Sequence, residues 1–247
     1  QTTTLNNLSA GQLQAFNITQ LKSLTTSQVN GLSSTQIGNL TSTQIGGLNL
    51  SQVNAVSSSF IQNIGTSGLM AMNATLLGGL STSALQGLTT AQAVALTSGS
   101  LQALSASQIN ALTSTALQAI ETADTATLSK GQIGSISSTQ LNQLSTGQIR
   151  ALTDTQLKAL STSQVVGLSS TQLGALSSTQ LRTLSTQQVQ SLNLANLGTV
   201  QTANLSSTQL QSLTTTQMGT VNSNLLSLGT AGFNALGSSQ MATISTT

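Results

Sequence analysis

Starting at Leu8, every eighth residue is apolar: Phe16, Leu24, Leu32, Leu40, Leu48 and onward to Val200, 25 positions of 25. Lettering that position a, position b is Ser, Thr or Asn in 22 of the 24 octads from Ser9 to Asn193, with Gly65 and Glu121 as exceptions. Position e is Gln in 16 of those 24, f is nearly always Leu, Ile or Val, and h is usually small. No single regular element produces this. In a continuous α-helix eight residues advance about 800°, so the apolar stripe would wind around the axis. In a continuous strand a and f, five apart, point to opposite faces. The chain must therefore break its direction once per octad.

The break reads as a helix start. Ser or Thr followed three residues later by Gln is a capping box: the hydroxyl accepts from the N3 amide and the Gln side chain reaches back to the cap amide. The apolar residues at a and f then form a hydrophobic staple across the start. In Leu152–Leu157, Thr153 is the cap, Gln156 its reciprocal partner, and Leu152 with Leu157 the staple. One octad thus predicts one short capped helix and a turn at g and h. A helix of five or six residues does not stand alone in water, so neighbours must bury a and f. The predicted fold class is all-α, a solenoid of short capped helices with one helix per eight-residue repeat. The alternative is a β-solenoid of Ser/Thr-rich coils with Gln or Asn ladders. The unbroken register argues against a disordered low-complexity tract.

Departures from the octad divide the chain into a regular solenoid over 1–200 and re-phased octads over 201–247. After Val200 the frame slips: Leu205 reads both as f of one octad and as a of the next, and Val221–Leu228 is one residue short. Between Ser57 and Gly79 the Gln at e is lost, with Phe60, Gly68 and Leu76 at e and Met70 at g. If e and g face solvent, Phe60, Met70 and Leu76 form a candidate self-association patch. From Ser81 to Ile120 position e alternates Ala84, Gln92, Ser100, Gln108 and Ala116, which suggests a 16-residue super-repeat of two helices per coil. The octad Glu121–Leu128 carries two acids and places Thr125 at f; without an EF-hand or RTX-like pattern it reads as a degenerate repeat, not a cation site.

Composition narrows function mainly by exclusion. Charged residues are 3% of the 247, and there is no Pro, Cys, His, Trp or Tyr. Cations at Lys22, Lys130, Arg150, Lys158 and Arg182 are scattered, four of them at g, which fits solvated side chains rather than a phosphate-tracking surface. Acid–base catalysis, a serine–histidine triad and zinc all need side chains that are missing or nearly so, and Ser129 beside Lys130 lacks a dyad's arrangement. No enzyme, cofactor or nucleic-acid partner is expected. No apolar run reaches the roughly 18 residues of a membrane span, and the first residues lack signal-peptide features. Of the Asn-x-Ser/Thr sequons, those at Asn17, Asn39, Asn49 and Asn73 follow from the repeat itself.

What remains is a long uncharged array of hydroxyls and amides, with no charged capping repeat at either end to discourage stacking. The expected partner is the chain itself, by heterologous contacts that propagate. The octads LTDTQLKA (Leu152–Ala159) and LSSTQLGA (Leu168–Ala175) resemble the Leu-Ser/Thr-x-x-Gln-Val/Ile repeats of large secreted or surface-displayed proteins of bacteria, and the likeness covers practically the whole chain. That resemblance implies an extracellular or cell-surface location and a structural or adhesive role. Leu152–Leu160 is also similar to the helix start of transcription activator-like effector repeats, but their longer period and base-reading loop are absent, so DNA reading is not implied. The expected function is a structural, self-associating filament, sheath or fibre; an adhesin stalk and an ice-binding solenoid are the alternatives.

Overall fold

A computed structural model describes residues 5–221 and 228–244. Among the described residues 28 short α-helices, four to seven residues long, follow one another from Ala10–Gln14 to Ser238–Met241 with no strand. The β-solenoid alternative is therefore set aside, and the all-α reading stands. The chain forms two compact units, Gln1–Leu128 and Ser129–Thr247.

The octad length has a direct cause. Positions c to h are helical, and a and b are two consecutive extended residues, such as Leu160 (φ −65°, ψ 133°) and Ser161 (φ −69°, ψ 160°). Those two residues turn the chain between helices. The turn is fixed from both sides: Leu160 N–H closes onto the Leu157 carbonyl at 3.2 Å, and the Ser161 hydroxyl accepts from the Gln164 amide at 3.2 Å.

Within each unit a helix packs on the helix three octads later. In the first unit Ser42–Gly46 lies against Gly65–Ala71, and Thr90–Val94 against Ser114–Ala119. In the second unit Lys130–Ser135 lies against Asp154–Ala159, and Thr146–Ala151 against Ser170–Ala175. Three octads, 24 residues, therefore make one coil, and the 16-residue alternation between Ser81 and Ile120 does not set it. Positions a and f fill the core, as Leu152, Leu157, Leu160 and Val165 show. Small h residues let coils approach: the side chains of Ile18 and Leu50, both at c, reach over Gly47 and Gly79 at h one coil later, and at Gly87, also h, a Cβ would collide with the backbone of Ser58 at c.

Among the described residues two repeats turn on a left-handed glycine instead. In Gly65-Thr-Ser-Gly-Leu69 and Gly229-Thr-Ala-Gly-Phe233 the residue at a, Ile64 or Leu228, is helical rather than extended. The glycine at b has φ +67° or +61°. A left-handed glycine here ends one helix in place of the side-chain cap that starts the next. The helical a residue then folds its side chain over e, so that a Cβ on Gly68 or Gly232 would sit 3.0 Å from the Cβ of Ile64 or Leu228. Each of these repeats thus needs both of its glycines.

The phase shift has one visible source. Asn193–Leu197 is a five-residue repeat with a 3-10 helix at Leu194–Asn196, capped by Asn193, whose side chain accepts from the Ala195 amide at 3.1 Å. Leu194 and Leu197 take the places of f and a and are buried. Val200, the last member of the sequence register, is instead 67% exposed. Leu205 is buried at position a alone, because Thr202 takes f. The shortened octad expected at Val221–Leu228 lies mostly outside the described residues.

Gly68→Ala is expected to lower stability by about 1–3 kcal/mol through overpacking against Ile64, and Gly65→Ala by about 1–2 kcal/mol through its left-handed backbone. Gly11→Ala, where a Cβ meets open space, should be neutral or raise stability by up to about 1 kcal/mol. Urea midpoints followed by circular dichroism check all three.

Candidate functional site

The recurrent polar feature of the structure is the glutamine at e. A six-residue helix is nearly all ends, and its terminal amides and carbonyls need partners outside the helix. Gln164 meets this need in two directions at once. Its Oε1 accepts from the Ser161 amide at 2.7 Å, completing the capping box. Its Nε2 donates to the carbonyls of Ile133 at 2.9 Å and Ile136 at 2.7 Å, on the last turn of a helix in the preceding coil. Gln52 repeats the arrangement, accepting from Asn49 at 3.0 Å and donating to Leu21 and Leu24, both at 2.8 Å. Gln44, Gln108, Gln172 and Gln188 do the same.

Those donors reach back 31 and 28 residues, as from Gln188 to Leu157 and Leu160. Past Asn193–Leu197 the reach shortens by three, to 28 and 25, for Gln209 and Gln217. The ladder therefore continues through the re-phased repeats. A second ladder runs the other way from g: Gln14 donates to the Asn39 carbonyl at 2.9 Å and Gln190 to that of Ser212 at 2.7 Å. Asn30 likewise donates to Ala55. Arg182, expected to be a merely solvated cation, joins this ladder through Nε and the Asn204 carbonyl at 2.9 Å.

Beyond the first coil the glutamines at e are buried, apart from half-buried Gln140 and Gln201, with Gln92 and Gln148 only 1% exposed. This corrects the expected surface patch. Position e is core, so Phe60 and Leu76 fill the space a Gln would occupy and are themselves buried, at 0% and 5% exposure. Of the three candidate residues only Met70 faces outward, with Val94 exposed one coil later in the same column. The capping example does form: Thr153 N–H meets Gln156 Oε1 at 2.8 Å, Gln156 N–H meets Thr153 Oγ1 at 3.3 Å, and Leu152 and Leu157 are buried.

Polar departures are satisfied locally. Thr125 and Thr202, the hydroxyl residues at f, donate to their own i−4 carbonyls, Glu121 and Gly198, at 3.1 and 3.0 Å. Asn17, Asn49 and Asn73 serve as helix caps, each accepting from the amide three residues on.

Among the described residues no group of three or more Asp or Glu side chains gathers as a metal site, and no helix is long and apolar enough to cross a membrane. Grooves of about 290 Å³ beside Arg182 and about 330 Å³ beside Arg150 each hold one ionisable side chain, without an acid–base partner.

The ALTTAQ repeat family matches residues 5–42, 117–154 and 154–186, less than half of the chain, and identifies it as repetitive. The octad Leu88–Ala95 begins Leu-Thr-Thr-Ala-Gln, five letters of that motif; in structural terms these are a, the cap Thr89 and the clamp Gln92, which donates to the Ile61 carbonyl at 2.6 Å. No curated protein matches the chain in sequence.

Gln164→Ala removes a two-way clamp and leaves two carbonyls without their amide, so an expected loss of about 2–4 kcal/mol follows. Gln164→Glu keeps the acceptor of the capping box but buries a carboxylate against carbonyls, which raises its folded-state pKa above the ordinary value near 4.3. The destabilisation is therefore small below about pH 4 and grows as pH rises. Gln12→Glu, in the first coil and exposed, should show little of this dependence. Melting curves between about pH 3 and pH 8 read the difference.

Proposed function

We propose that this chain is a structural protein that associates with itself to build an extracellular filament, sheath or surface fibre. The observation that carries the reading is the makeup of the coil-to-coil joint. Most joints use groups that 16 of the 24 regular octads carry, a glutamine amide and two carbonyls, so addition of coil on coil has no inherent stopping point. The surface supports the same reading. Eight ionisable side chains in 247 residues leave almost no charge to oppose the approach of an identical surface. Catalysis forms no part of the reading, since no constellation of acid, base or nucleophile emerges among the described residues.

The test is electron microscopy of the full chain at increasing concentration in physiological salt, with sedimentation velocity on the same samples. Filaments or oligomers that lengthen with concentration are expected. Short rods of one length that sediment as monomers up to high concentration would overturn self-assembly and favour a stalk that spaces other parts apart.

A further inference from the structure

The second unit carries five ionisable side chains, Lys130, Arg150, Asp154, Lys158 and Arg182. In sequence they are dispersed. The 24-residue coil gathers four of them on one face, because Lys130–Ser135 packs on Asp154–Ala159 and that helix packs on Ser178–Thr183, three coils in succession. Lys130 and Asp154 stand at c, Lys158 and Arg182 at g, and positions four apart lie on the same side of a helix. Stacking brings the coils close. The Ala159 carbonyl lies over Gly134, 2.9 Å from where a Cβ would be, so Lys158 sits immediately above the helix that bears Lys130. All four side chains are exposed. The face thus presents one cation per coil, three in a row against one acid, and the fifth group, Arg150, stands on a neighbouring column.

Such a row is the complement of a linear polyanion, and spacing decides which kind. Packed helices lie about 8–10 Å apart, so successive cations are separated by roughly the length of two sugar rings. A nucleic-acid strand carries a phosphate about every 3.4 Å, which would leave about two of every three phosphates without a cation. The three helices also contain no aromatic side chain on which a base could stack. A polysaccharide with one uronic acid per disaccharide meets the cations in step, and an exposed hydroxyl such as that of Ser178, at c in the third coil, suits its neutral rings.

We infer that this face of the second unit binds an acidic polysaccharide, with Lys130, Lys158 and Arg182 each pairing a carboxylate of a polymer that runs across the coils. The inference goes beyond self-association and does not depend on it. Arg182 serves while its Nε holds the Asn204 carbonyl at 2.9 Å, since a guanidinium has further N–H donors to offer.

The test measures binding of hyaluronan, which carries one carboxylate per disaccharide. The full chain is immobilised sparsely enough that copies do not meet, at low ionic strength, where screening is weak. Lys130→Gln with Lys158→Gln should weaken binding by about tenfold, and Asp154→Asn should tighten it by about threefold. Helix content by circular dichroism should match the parent in both. Lys22→Gln with Arg150→Gln removes the same charge from other places and should leave binding within about twofold of the parent.

A parent that does not retain hyaluronan would overturn the inference. Equal weakening by the two double variants would also overturn it, by reducing the effect to net charge. Tighter binding of an oligothymidylate of matched length would overturn the polysaccharide assignment in favour of nucleic acid.

Discussion

The whole structure depends on satisfying the ends of very short helices. In a long helix the unpaired terminal amides and carbonyls are a minor fraction; here they are most of the backbone. The amide end is closed within each octad by the b side chain and the e glutamine. The carbonyl end is closed only in part by local groups, as where Leu160 N–H meets the Leu157 carbonyl, because the chain leaves immediately through two extended residues. The remaining acceptor capacity is met by a donor from another coil, and the glutamine supplies one with the half of its amide that the capping box leaves unused. Helix formation and coil stacking are thus coupled through one side chain. A buried amide with both ends engaged also fixes registry, since displacing a coil would strand donors and acceptors in a dry core.

The structure shows where this coupling is relaxed. Phe60, Gly68 and Leu76 occupy every e position of the coil Ser57–Leu80, which therefore meets the coil beneath it without a glutamine clamp. Burial of Phe60 and Leu76 replaces directional bonds with apolar contact. Gly68 follows from the local backbone: the left-handed Gly65 lays Ile64 across e and leaves no room for a side chain. Gln92 adapts by donating to the Gly65 carbonyl, at 3.2 Å, rather than to that of Ile64.

Much of this was legible in the sequence, and what was not has definite causes. The octad, the capping box at Thr153 and Gln156, and the core roles of a and f all rest on side chain identity within eight residues. The 24-residue coil was hidden because the second partner of each glutamine is a backbone carbonyl, which leaves no mark in sequence. For the same reason e looked solvated, and Phe60 and Leu76 read as surface when they are core. Val200 kept the count of eight while the backbone had already shifted at Asn193–Leu197. An apolar residue at the expected interval is a coincidence that periodicity cannot distinguish from register.

Three octads per coil also govern what insertions and deletions do to the surface. Gaining or losing 24 residues leaves every later side chain within the unit on its original face. Gaining or losing a single octad moves all of them by a third of a turn, so that a column once continuous is split between neighbouring faces. The clamp is indifferent to which face it serves, as its passage across the five-residue repeat illustrates. Repeat number can therefore drift by octads with little cost to folding, while any binding surface spread over several coils is constrained to drift by whole coils.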